Sequence, residues 1–154
     1  MPAHRASLRV RFAELDPYRH VNHAVYVTYF EVGRVEALGD AGIDLARLQD
    51  EGWQLVLADL TVRYRRPAVA DDRLVVESGL VEIGAATTRW RQRLLRSLTA
   101  GRPNGGGGAS VDGEELLCTA DVRTGVTDDR GRPRRIPTPM SAALRRLLIE
   151  PVDG

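Results

Sequence analysis

The sequence predicts an α+β layer fold made of one strand, one long apolar helix and four further strands. Three observations carry this. Apolar residues alternate over residues 7–14, the period becomes helical over residues 23–41, and alternation returns in four segments between residues 53 and 126. A helix that is apolar on most sides needs a sheet curled around it. At 154 residues, the chain fits one domain, 1–154, able to bury a core without disulfide or metal support.

In the first segment Leu8, Val10 and Phe12 take one side and Arg9 and Arg11 the other, as in a half-buried strand. Residues 15–22 contain Asp-Pro, Tyr, Arg, His and Asn, a loop composition. In the helix Val25, Tyr29, Val32 and Glu36 form one row, and Tyr26, Phe30, Gly33 and Ala37 the next, so most of it is expected to be buried. Asn22 is the expected N-cap, and Gly39 or Gly42 the expected stop. A helical turn is expected over residues 45–49.

Strands are expected over residues 53–65, 73–83, 86–96 and 115–126, arranged as an antiparallel meander with a tight hairpin at Glu82-Ile83-Gly84-Ala85. The third of these sets Thr88, Trp90, Gln92 and Leu94 against Arg89, Arg91 and Arg93. The last places Leu116, Cys118, Ala120 and Val122 on one face. Residues 99–113 hold four consecutive glycines and no hydrophobic period, which predicts a flexible hairpin loop. No Lys-Ser/Thr pair or helix start follows those glycines, which argues against a phosphate cradle. A polar turn over residues 128–135 and a terminal helix over 140–149 complete the chain.

Composition narrows the classes of function. Hydrophobic residues at 43% and charged residues at 28% fit an ordinary soluble globular protein. A net charge of +1 exerts no global pull toward nucleic acid or an anionic membrane. All 22 basic residues are arginine, a bias read as GC-rich coding rather than function. The single cysteine, Cys118, excludes an intrachain disulfide and a Cys-rich metal site, and is expected to be a small core hydrophobe. With no signal-like or membrane-length apolar run, a cytoplasmic location is expected.

The chemistry concentrates in the stretch from Glu14 to Tyr26, where Asp16, His20, Asn22 and His23 lead into the helix. A buried helix N-terminus presents unpaired N–H groups and partial positive charge, able to hold the oxyanion formed when a thioester carbonyl is attacked. A carboxylate on the preceding loop stands where a base or nucleophile is needed. The same residues would equally suit a plain capping loop.

This stretch resembles the 4-hydroxybenzoyl-CoA thioesterase-like branch of the hotdog superfamily, through Asp16, His20-Val21-Asn22, Tyr26 and Tyr29-Phe30-Glu31. Val10-Arg11-Phe12-Ala13-Glu14, Val62-Arg63-Tyr64-Arg65-Arg66-Pro67-Ala68 and Gly131-Arg132-Pro133-Arg134-Arg135-Ile136-Pro137 extend the likeness over nearly the whole chain except the glycine loop. The resemblance implies a hotdog fold, a five-stranded antiparallel sheet wrapped around the long central helix. It also implies a homodimer, or a tetramer built of dimers, with active sites between subunits. Asp16 would act on the thioester carbonyl as nucleophile or as base for water, and the backbone N–H of His23 would polarise that carbonyl. His20, Asn22, Tyr26 and Arg19 would contact substrate; no metal or redox cofactor is implied. Many members carry a small residue, often Gly, where this chain has Arg19, so the entrance here is expected to differ.

Each residue also has a bland role. Asp16 before Pro17 suits a turn that binds backbone amides. His20 suits a loop imidazole satisfied by backbone, and Asn22 an N-cap. Glu31 is a rival catalytic carboxylate, read as structural or interfacial because Asp16 is present. The arginine rows read as a solvated strand face. An acyl-CoA is the expected substrate. The alternatives are an acyl carrier protein thioester, or a non-catalytic module that senses acyl-CoA.

Overall fold

The computed structural model describes residues 2–98 and 113–150. Strand β1 (His4–Arg9) leads through a loop to helix α1 (Val25–Asp40) and the short helix α2 (Leu45–Asp50). Strands β2 (Gln54–Tyr64), β3 (Arg73–Ile83), β4 (Thr87–Ser97) and β5 (Glu114–Thr127) follow, then helix α3 (Thr138–Arg145). The five strands form one antiparallel sheet in the order β1-β3-β4-β5-β2. This is the expected α+β arrangement, with one correction to its wiring. β3, β4 and β5 form the meander, whereas β2 crosses to the far edge and pairs with β5. Local periodicity does not encode that choice of neighbour.

The registers line up rows of inward side chains across the sheet. Ala6, Val76, Leu94 and Cys118 form one row, and Leu80, Trp90, Val122 and Leu60 another. Tyr26, Tyr29, Phe30, Gly33, Ala37 and Leu38 of α1 pack onto them. Gly33 marks the tightest approach: an added Cβ would lie 2.5 Å from Val76 Cγ1 and 2.8 Å from Ser78 Oγ. The opposite sheet face carries Arg89, Arg91 and Arg93, ion-paired with Glu82, Asp121 and Glu77.

Several boundaries differ from expectation for physical reasons. The first strand stops at Arg9, and Phe12–Glu14 winds into a 3-10 turn closed by Arg11 N–H donating to the Glu14 carboxylate (2.8 Å). Phe12 therefore faces outward, 85% exposed. α1 is buried along one side only, with Thr28, Glu31, Val32, Val35 and Glu36 exposed, because the sheet of one chain covers one face. Its end is a Schellman motif: Ile43 N donates to Leu38 O and Gly42 N to Gly39 O, with Gly42 at φ 86°. In β5 a bulge at the level of Leu94/Leu95 turns Leu117 into the core beside Cys118. α3 ends at Arg145, and Leu147 and Ile149 then exchange backbone hydrogen bonds with Leu80. The glycine segment, expected to be a flexible loop over 99–113, lies outside the described residues apart from Gly113.

Candidate active site

The loop between β1 and α1 folds around Asp16. Its Oδ1 accepts the N–H groups of Tyr18 (2.9 Å) and His20 (3.2 Å), while its own N–H donates to His20 O (2.7 Å). Arg19 closes this turn at φ 64°, a left-handed conformation that glycine adopts without strain. The turn is then fastened on two sides. Val21 N donates to Ala68 O (2.9 Å), and Asn22 N donates to Glu14 O (2.9 Å). Ala68 N in turn donates to the Tyr26 hydroxyl (3.0 Å), so helix, loop and the segment after β2 share one junction.

The entry to α1 leaves backbone amides without a partner among the described residues, that of His23 included. Asn22 Oδ1 accepts from Ala24 N (2.9 Å), Asn22 O from Val25 N (2.9 Å) and Ala24 O from Val27 N (3.3 Å). Asn22, the expected N-cap, thus caps from two residues upstream of the formal N-cap, Ala24. His23 N–H donates to nothing among the described residues, and its carbonyl accepts the Tyr64 hydroxyl at 2.6 Å. Asp16 is half-buried; Oδ1 carries both its amide contacts, and Oδ2 is neither bonded among the described residues nor sealed from solvent. An anchored carboxylate with one unused oxygen therefore shares a loop with an unused amide at a helix entrance.

The surroundings are aromatic. Tyr26 is 3% exposed and meets Tyr29 and Tyr64 edge-on, with ring centroids 6.1 Å and 5.2 Å away. Burial pushes the Tyr26 hydroxyl above its ordinary value; the Ala68 amide opposes the rise, and the Asp16 charge adds to it. Tyr29 is raised further, by burial and by the Glu14 carboxylate to which its hydroxyl donates (2.9 Å). Both stay protonated at neutral pH and serve as fixed hydrogen-bonding groups.

Of the residues singled out in the sequence, Asp16 is bonded to the His20 backbone, and Asn22 and the His23 backbone stand at the helix entry that the same loop leads into. The side chains of Arg19, His20 and His23 are exposed. His20 orients Asp16 through its amide rather than its ring, and enclosed Tyr26 braces the loop. Sequence reasoning missed Tyr64 and Ala68 as supports, since their contacts to His23 and Tyr26 span 41 and 42 residues. Glu31 lies two turns beyond His23 on a cleft of about 260 Å³ between α1, β2 and α3, which Val27, Arg34 and Leu38 also line. Among the described residues no group of three or more His, Cys, Asp or Glu is placed to hold a metal ion, and no helix is long and apolar enough to cross a membrane.

A long helix cradled by a five-stranded antiparallel sheet, with its polar site at the helix entrance, defines a hotdog-fold protein. The family model described as the thioesterase-like superfamily matches residues 10–146, and the chain belongs to that superfamily. Among solved structures, a hypothetical protein from Thermus thermophilus superposes with a TM-score of 0.76 at 26% identity, covering 93% of this chain and 98% of that one. A DHNA-CoA thioesterase from Staphylococcus aureus shares the fold, with a TM-score of 0.79 at 19% identity over 95% of this chain and 91% of its own.

Two curated relatives add sequence likeness. The chain is 27% identical to the chloroplastic acyl-acyl carrier protein thioesterase ATL2 of Arabidopsis thaliana over 135 residues, 88% of this chain and 64% of that protein. It is 30% identical to the long-chain acyl-CoA thioesterase FadM of Escherichia coli over 79 residues, 51% of this chain and 59% of that one. The chain thus spans less than two thirds of either relative's length.

Proposed function

We propose that this protein hydrolyses the thioester of an acyl-CoA to a free acid and CoA. What supports the reading is that one loop carries both Asp16, whose Oδ2 has no partner among the described residues, and the His23 N–H, likewise without one, at the mouth of α1. The carbonyl oxygen accepts from His23 N–H, reinforced by the positive end of the helix. As base, Asp16 takes a proton from water, and the resulting hydroxide attacks the carbonyl carbon. As nucleophile, its oxygen attacks directly, and water then cleaves the mixed anhydride. Either way the C–S bond breaks, the oxyanion collapses, and CoA leaves as thiolate and takes up a proton. Asn22 and the His20 amide position these groups, and Arg19 and the His20 imidazole flank the entrance.

The site is proposed to operate in a homodimer. β2 is an edge strand whose outer side is unpaired among the described residues, and it exposes Val56, Leu57 and Tyr64. Long apolar edges of this kind invite a second strand, and a second copy supplies one.

The test is thiol release from an acyl-CoA panel by wild type, Asp16→Asn and Asp16→Ala, with folding checked by circular dichroism. Loss of about 10²–10⁴-fold in kcat is expected for both variants. Full activity in both removes Asp16 from the mechanism, and no turnover by wild type on short, long or aromatic acyl-CoA favours a sensor. The likeness to an acyl carrier protein thioesterase over 88% of the chain favours a second reading, in which the acyl group arrives on a carrier protein. Turnover of one acyl group on both carriers decides between them.

A further inference from the structure

The cleft along α1 contains a cation that the hydrolytic chemistry does not use. Val27, Glu31, Arg34, Val35 and Leu38 line it from the helix, at spacings that form one stripe. One turn back along that stripe stands His23, whose amide faces the reacting carbonyl in the proposed mechanism. An acyl chain leaving that carbonyl along the helix would therefore enter the cleft.

Its lining is mainly apolar, with Leu55 and Leu57 from β2 and Trp90 from β4, yet half-buried Arg34 stands among these groups. Arg34 forms no ion pair within 4.0 Å among the described residues; its one hydrogen bond runs from Nη1 to Gln92 Oε1 at 2.8 Å. Glu31, three residues earlier and exposed, acts on it only through space. The guanidinium is also held in place. Gln92 is fully buried, and its Nε2 donates to Phe30 O (2.8 Å) and Ser78 Oγ (2.7 Å), which fixes Oε1 toward Arg34. The remaining guanidinium donors are not sealed off. A planar fork of donors, fixed from behind and with no carboxylate in ion-pair contact among the described residues, is built to receive one. Desolvation lowers the Arg34 pKa, and the Glu31 charge offsets only part of that fall.

Resting on the thioesterase reading, we propose that Arg34 selects acyl groups that carry a carboxylate at the end remote from the thioester. Arg34 lies eleven residues beyond His23, roughly 16 Å along the helix axis. Its side chain leans back toward the N-terminus, which brings the guanidinium nearer the carbonyl. Chains of medium length are therefore the ones whose far end meets it.

The experiment compares hydrolysis of glutaryl-, adipoyl-, suberoyl- and sebacoyl-CoA with the unsubstituted acyl-CoA of equal length. In wild type, kcat/KM is expected to favour the carboxylated member by about tenfold or more at one of the longer lengths. In Arg34→Met that ratio should fall by at least as much, and in Arg34→Lys it should recover in part. Calorimetric titration of wild type with the free dicarboxylic and monocarboxylic acids gives a readout independent of catalysis. Tighter binding of the diacid supports the assignment even if no thioester is cleaved, in which case only the hydrolytic reading falls. Equal or poorer handling of the carboxylated ligands by wild type in both assays overturns it, whether or not the Arg34 variants fold. A change in dimer dissociation with the selectivity ratio unaltered also overturns it, because Arg34 would then be neutralised by a second copy.

Discussion

At the scale of single residues, conformation separates two neighbours in the Asp16 loop. Asp16→Asn keeps an acceptor for the Tyr18 and His20 amides, so its fold should survive where Asp16→Ala loosens the turn by about 1 kcal/mol. Loss of hydrolysis in the asparagine variant then reports chemistry rather than structure. Arg19 occupies the left-handed region at φ 64°. Arg19→Gly should stabilise the protein by about 1 kcal/mol, read as a rise in the denaturant midpoint, because glycine relieves the Cβ clash. The two substitutions act in opposite directions on one loop, which makes them mutual controls.

At the scale of elements, α1 and the segment after β2 hold the site. Gly33→Ala pushes a methyl group into Val76 and Ser78, and should cost about 1–3 kcal/mol by thermal or chemical unfolding. Arg96 ties the far end of the segment after β2. It donates to Asp72 Oδ2 (2.7 Å), Pro67 O (3.3 Å) and Glu115 Oε2 (2.7 Å), and Ala68 lies between Pro67 and the loop it braces. Arg96→Met should cost about 3 kcal/mol, since it strands the enclosed Asp72 carboxylate, and should lower kcat by loosening the Ala68 contacts. Its pH dependence has a definite sign. The Arg96 hydrogen bond lowers the Glu115 pKa below its unfolded value, so that stabilisation is present above the ordinary carboxylate range and lost as pH falls through the depressed folded value. The stability gap between wild type and variant, measured by urea unfolding at neutral and acid pH, should therefore narrow in acid.

At the scale of the molecule, the outer edge of β2 and the exposed side of α1 present apolar surface that the described residues of one copy do not cover. Leu57 is 51% exposed, next to a register shift in β2. Leu57→Arg places a charge on that edge and should convert the proposed dimer to monomers in sedimentation velocity. An unchanged sedimentation coefficient would move the interface elsewhere.

Local pattern determined much of this protein. The strand and helix periods, the loop around Asp16 and the Arg89-Arg91-Arg93 face all follow from side-chain alternation and turn chemistry between near neighbours. The winding of Phe12–Glu14 escaped that pattern, because alternating apolar residues read as strand until the Arg11 N–H, donating to the Glu14 carboxylate, closes the turn. Only the tertiary structure decided that β2 crosses to β5, that Tyr64 reaches the His23 carbonyl and Tyr26 the Ala68 amide, and that Arg34 meets Gln92 rather than a carboxylate. Those contacts join residues tens of positions apart, and they depend on which surfaces remain after the helix has packed. Periodicity records which way a side chain faces, whereas the identity of the group it meets is set by packing.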